Sequence, residues 1–200
     1  WITGAEAKES WRESTRATDF FTLKNELVHI LAALGLEKFQ ENPLENELFD
    51  EALQIEVFKN EVAVFGRVKT TLARQMDIKQ PVYYANLNWA KLAELAAKQR
   101  IVMKDLPRFP EVRRDLALLL DESIRYSDLK QAAEKAERKI LRDVNLFDVY
   151  HGKNLPAGKK SYALSFILQD QDKTLNDKQV DKAMEKILAS FKKQFEAELR

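Results

Sequence analysis

The order of hydrophobic patterns in residues 106–200 constrains the fold of this chain more than any other feature. Strand-like alternation in "RRDLALLLD" is followed by a helical pattern in "YSDLKQAAEKAERKI". Two further strands follow in "RDVNLFDVYHG" and "KKSYALSFILQD", then a helix in "NDKQVDKAMEKILASFKKQF" and a short strand in "EAELR". Because crossover connections are right-handed, this β-α-β-β-α-β order predicts a four-stranded antiparallel sheet with both helices on one face.

This topology is ferredoxin-like, and it makes the predicted fold class α+β. The first half also predicts antiparallel pairing with helices: a helix in "FTLKNELVHILAALG", a hairpin in "ALQIEVFKNEVAVFGRV", a strand in "PVYYANL" and a helix after Asn88. The stretch "DLPRFPEVRRD" contains two prolines that keep the chain extended. It predicts a boundary between two separately folding units, residues 1–105 and 106–200.

The alternation of side chains predicts which residues of the second unit the helices cover. The covered positions are apolar: Leu116, Leu118, Leu120, Phe147, Val149, Tyr162, Leu164, Phe166 and Leu168. The opposite face then shows small or polar residues, namely Asp115, Ala117, Asp148, Tyr150, Ser161, Ala163 and Ser165. The predicted margins of that face are cationic, with Arg113, Arg114, Lys159, Lys160 and Arg200. The apolar parity changes between Leu146 and Phe147, which predicts a β-bulge.

A flat face with one aromatic ring, hydrogen-bonding groups and surrounding cations suits unpaired bases on a phosphate backbone. An antiparallel sheet that exposes a polar face to water produces the same pattern. The excess of basic over acidic residues in 106–200 is a small tilt toward an anionic partner. The pattern alone leaves both interpretations open.

The composition argues against several classes of function. The chain has no cysteine, two histidines and only five glycines, so we expect no metal site, no phosphate-cradling loop and no nucleophilic triad. No apolar run is long enough to span a membrane, which needs about 18 residues. The lack of cysteine fits a cytoplasmic location. The chain begins at Trp1 rather than at a methionine, so we expect it to be part of a longer protein.

Four stretches of the second half carry a family resemblance. "FPEVRRDLALLLD", "LFDVYHGKNLPAGKKSYALSF", "KTLNDKQVDKAMEKI" and "ELR" together resemble the ferredoxin-fold anticodon-binding domain of the bacterial phenylalanyl-tRNA synthetase β subunit. In the first half, "WITG", "DFFTLKNELVHILAALGL" and "VYYANLNW" resemble the end of the synthetase-like module that precedes that domain. The chain is therefore similar to a C-terminal fragment of that subunit.

The resemblance implies a binding role rather than catalysis by this chain. It implies that the first unit is a catalytically inert class II synthetase-like module, that an α subunit activates phenylalanine with ATP and magnesium, and that the whole enzyme is a cytoplasmic α2β2 ligase. It implies no cofactor in this chain and no membrane. The anticodon contacts that it implies fall on Ala117, Asp148, Tyr150, Ser161 and Arg200.

A ferredoxin-like regulatory or protein-interaction domain of the ACT type is the alternative, because such domains share the βαββαβ topology. ACT-type domains usually bind their ligand at a glycine-containing loop in a dimer interface. No such loop follows the first strand of the second half. A small enzyme is a further class, but the chain lacks the titratable constellation that acid–base or nucleophilic chemistry needs.

Overall fold

The computed structural model describes residues 1–7, 10–12, 14–99, 107–152 and 154–200. The chain divides into two units, Trp1–Met103 and Lys104–Arg200. The boundary predicted between residues 105 and 106 lies outside the described residues.

The first unit is built around an antiparallel sheet. Its elements are β1 (Ile2–Thr3), α1 (Phe20–Ala33), β2 (Gln40–Pro43), β3 (Phe49–Val57), β4 (Asn60–Val68), α2 (Thr70–Gln75), β5 (Val82–Leu87) and α3 (Trp89–Ala97). The strand order is β1-β5-β4-β3-β2. The short elements β1, β2 and α2 were not predicted, because two to six residues are too few to show a period.

Local signals explain where the main helices of this unit begin. The Asp19 carboxylate accepts a hydrogen bond from the Thr22 amide at 2.7 Å and so caps α1. The Asn88 side chain accepts one from the Lys91 amide at 3.0 Å and caps α3, as predicted. The predicted hairpin is also present, since β3 ends at Val57 and β4 begins at Asn60.

The second unit has the predicted order of elements. They are β6 (Val112–Asp121), α4 (Tyr126–Ala136), β7 (Leu141–Tyr150), β8 (Lys159–Leu168), α5 (Asp177–Phe195) and β9 (Glu198–Leu199). The sheet is antiparallel with the strand order β7-β8-β6-β9, which confirms the α+β, ferredoxin-like prediction. Asn176 caps α5 as expected, whereas α4 begins at Tyr126, before the predicted cap at Ser127.

One face of this sheet packs against the helices. Leu118, Leu164 and Phe166 of the sheet share a buried core with side chains of α4 and α5. The residues that alternate with the core positions of β6 and β8 point to the opposite face. We call that surface the bare face, and its members in the three long strands include Arg113, Asp115, Ala117, Asp148, Tyr150, Ser161, Ala163 and Ser165.

We expect residues 104–200 to fold when they are expressed alone, because their apolar clusters are completed by side chains of this unit. The piece should melt in one cooperative transition, followed by circular dichroism in the near and far ultraviolet. A piece that keeps helical signal but shows no near-ultraviolet signal and no cooperative transition would contradict independent folding.

Candidate nucleic-acid interface

The three long strands bring small side chains together at the centre of the bare face. Ala117 of β6 lies opposite Ala163 of β8, and Ala163 lies opposite Asp148 of β7. In the next row, Ser161 lies opposite Tyr150. In these two rows, β8 therefore places no large side chain between β7 and β6 on this face.

Tyr150 and Arg200 meet across this shallow centre. The Arg200 amide donates to the Ala117 carbonyl at 3.0 Å, which places Arg200 beside β6. Its guanidinium carbon nevertheless lies 5.0 Å from the centroid of the Tyr150 ring, on the far side of β8. This is the geometry of a cation–π contact. Ser161 is only 5% exposed, consistent with cover from larger side chains around it.

Gly152 determines how closely the chain after β7 approaches the Tyr150 ring. A Cβ atom at position 152 would lie 2.3 Å from the Tyr150 hydroxyl oxygen and 2.5 Å from the ring carbon that bears it. These distances are too short for real atoms, so only glycine leaves the ring where it is. Sequence reasoning missed this residue, although a glycine two positions after the aromatic residue was a possible signal.

Asp148 offers an open carboxylate beside the ring. It is exposed, and it forms no hydrogen bond or ion pair with the residues that the structure describes. A carboxylate accepts hydrogen bonds and cannot donate them when it is ionised. Asp148 is therefore suited to the amino and imino groups of a base and repels a phosphate.

The bulge in β7 reverses the predicted direction of Phe147. The register shifts between Leu146 and Asp148, as expected, so Phe147 is the extra residue of the strand. Its ring lies 5.3 Å from the guanidinium carbon of Arg113, a bare-face residue, and Phe147 is 50% exposed. The prediction that the helices cover Phe147 is therefore wrong. The same prediction for Val149 is also wrong, since Val149 is 44% exposed although it pairs with Tyr162 on the helix side.

Two of the predicted marginal cations lie on the helix side instead. Lys160 is 5% exposed, and its ammonium group donates to the Glu122 carbonyl at 2.9 Å and lies 4.5 Å from the Tyr162 ring centroid. Arg114 pairs with Phe166, a core position, and reaches Asp177 at the start of α5 at 3.6 Å. Both placements at the margin of the bare face are wrong, because the alternation of β6 and β8 continues to these positions.

Arg113 and Lys159 remain on the bare face. Arg113 forms a two-pronged contact with Asp115, with nitrogen–oxygen distances of 2.8 and 3.3 Å, and this contact raises the pKa of the guanidinium. Lys159 pairs with Asp121 at the other end of the sheet. The hydroxyl and amide of Ser123 donate to the Asp121 carboxylate and, with smaller contributions from Lys159 and Lys160, lower its pKa.

Comparisons with known proteins match both units. The family described as the ferredoxin-fold anticodon binding domain matches residues 107–200, and the phenylalanyl tRNA synthetase beta chain CLM domain matches residues 1–89. The chain belongs to the phenylalanine–tRNA ligase β-subunit family. It is 42% identical over its whole length to the phenylalanine–tRNA ligase β subunit of Porphyromonas gingivalis, 40% to that of Bacteroides thetaiotaomicron and 32% to that of Fusobacterium nucleatum. The chain spans about a quarter of the length of these relatives.

The match to the anticodon-binding family favours an anticodon-binding domain in residues 107–200 over the ACT-type alternative. Among the described residues, no group of three or more His, Asp or Glu side chains could hold a metal ion. None of the described helices is both long and apolar enough to cross a membrane. Both histidines, His29 and His151, are exposed.

Because the Phe147 side chain is exposed rather than buried, we expect its truncation to cost little folding stability. Phe147→Ala should lower the free energy of unfolding by about 1 kcal/mol or less, since the ring loses only an exposed contact with Arg113. Phe166→Ala, at a fully buried ring, should cost roughly 3–5 kcal/mol. Urea unfolding of both variants measures the difference, and equal large losses would show that Phe147 is part of the core.

Proposed function

We propose that the bare face holds the unpaired bases of the anticodon of phenylalanine tRNA. The observation that carries this proposal is the Tyr150 ring under the Arg200 guanidinium, above a row of small residues. Because β8 carries only small side chains here, a flat base has to displace only the Arg200 guanidinium to stack on the Tyr150 ring. Membership of the family named for anticodon binding supports the same ligand.

Each side chain of this site has a separate role in the proposal. The Tyr150 ring stacks on a base, a contact worth roughly 1–3 kcal/mol. Asp148 accepts hydrogen bonds from the edge of a guanine and so supplies specificity. Ala117 is small enough to leave space for the base, and the Ser161 hydroxyl, which is covered in this structure, offers a further hydrogen bond once the base replaces the side chains over it. Arg200, Arg113 and Lys159 attract the phosphate backbone without reading its sequence.

We also infer a place for this chain in a larger enzyme. The two family matches, at residues 1–89 and then at residues 107–200, support the inference that this chain is the C-terminal part of a phenylalanine–tRNA ligase β subunit. In that enzyme the first unit would be an inert synthetase-like module that supports assembly with an α subunit as α2β2. The α subunit would use ATP and magnesium, and the enzyme would work in the cytoplasm.

The specificity of the site can be tested with two variants. Tyr150→Ala and Asp148→Ala should each weaken binding of the anticodon stem-loop of phenylalanine tRNA by about 1–3 kcal/mol, because a stacking contact or a charged hydrogen bond is lost. Binding of a stem-loop with a scrambled loop should change little. Fluorescence anisotropy with labelled RNA measures both. Normal binding of the anticodon stem-loop by two folded variants would place the RNA site elsewhere.

Two adjacent lysines, one on each face of the sheet, allow a matched test of the electrostatic attraction between the bare face and RNA phosphates. Lys159→Ala should weaken binding of both RNAs alike and reduce the slope of log affinity against log salt by about 0.7, the value for one phosphate contact on a single strand. Lys160→Ala should leave this slope unchanged and should instead lower stability, because Lys160 is buried against Glu122 and Tyr162. A change of slope in Lys160→Ala alone would contradict this assignment.

A further inference from the structure

We propose that Phe147 and Arg113 form a second base-stacking position on the bare face, so that the site takes two successive unpaired bases. This inference rests on the proposed RNA-binding function and extends it to a residue that neither the sequence pattern nor the family resemblance had indicated. Its basis is the bulge that turns the Phe147 ring toward the bare face.

The Phe147 ring is an aromatic surface without a structural partner in the core. It is half exposed, and the buried clusters of this unit do not include it. A bulge is a specific feature of a strand that redirects a side chain, and bulges are frequent near functional sites. Here the bulge moves a large apolar ring out of the core side and onto the face that also carries Tyr150.

The guanidinium over this ring is held in place. Asp115 binds Arg113 through two oxygens, at 2.8 and 3.3 Å, and the guanidinium carbon lies 5.3 Å from the Phe147 centroid. Arg200 and Tyr150 form the same kind of pair at 5.0 Å. The bare face therefore carries two arginine–aromatic pairs, and both arginine planes and aromatic rings are surfaces on which RNA bases stack.

The spacing of the two pairs suits neighbouring bases. Phe147 and Tyr150 are three residues apart on one strand, which corresponds to about 10 Å at an ordinary strand rise and less across a bulge. Asp148, the proposed specificity residue, lies between them. Four-stranded sheets that bind single-stranded RNA use their aromatic residues in this way, with two or three bases stacked side by side.

The neighbours of Phe147 favour RNA over an apolar protein surface. The residues around its ring on the bare face include Arg113, Asp115 and Asp148, all charged and exposed. An apolar partner would have to remove these charges from water, whereas the edge of an unpaired base can donate to the two carboxylates and accept from the guanidinium while the phosphates stay in solvent.

The test measures the dissociation constant of the 200-residue chain for the anticodon stem-loop of phenylalanine tRNA. Phe147→Ala should weaken binding roughly 5- to 150-fold, the range for one stacked base. Phe147→Trp should retain binding, and Phe147→Leu should not, because leucine is apolar without an aromatic face. Val149→Ala is the matched control, since Val149 is similarly exposed on the same strand but points to the helix side, and it should change binding less than twofold.

Stem-loops with one loop base removed identify which base each ring contacts. Removal of one particular base should weaken the wild type but not Phe147→Ala, and removal of an adjacent base should weaken the wild type but not Tyr150→Ala. If Tyr150→Ala weakens binding while Phe147→Ala and Phe147→Leu bind like the wild type, the second position is refuted and the proposed function stands. If the wild type does not distinguish the anticodon loop from a scrambled loop, the proposed function itself fails.

Discussion

The unbroken pairing of β6 with β8 is the constraint on which the second unit depends. Ten residues of each strand stay in register from Val112 opposite Leu168 to Asp121 opposite Lys159. Because side chains alternate along a strand, this single register decides at each pair whether both residues join the core or reach the bare face. It buries Leu118 and Leu164, and it places Ala117 beside Ala163 at the shallow centre where Tyr150 and Arg200 meet.

β7 departs from this regularity at two residues, Arg142 and Phe147, and the second departure supplies chemistry. A strand without a bulge could present one large side chain for every two residues on a face. The extra residue between Leu146 and Asp148 lets Phe147 join Asp148 and Tyr150 on the bare face while Leu146 still packs against the core. Gly152 then leaves room for the Tyr150 ring at the end of the strand. The interface is thus made by a bulge and a glycine at the edge of a regular sheet.

The sequence was informative where periodicity is strict. The alternation of β6 and β8 placed Asp115, Ala117, Ser161 and Ala163 on the correct face. Continued to the neighbouring positions, the same alternation would also have placed Arg114 and Lys160 on the helix side.

The sequence was less informative where geometry depends on three-dimensional contacts. The parity change at Phe147 revealed the bulge, but a parity count does not say which side the extra residue takes. The contact between Arg200 and Tyr150 joins the end of the chain, after β9, to the end of β7, with β6 and β8 between them. No local sequence pattern encodes such a contact.

An NMR titration of the 15N-labelled chain with the anticodon stem-loop tests the location of the RNA most directly. We predict that the amide signals that shift most belong to β6, β7 and β8 around Ala117, Asp148 and Ser161. The Nε–H signal of the Arg200 side chain should shift with them. The signals of α4 and α5 should move little, since these helices cover the other face. Shifts concentrated on α4 and α5, with the bare-face amides unchanged, would contradict the account.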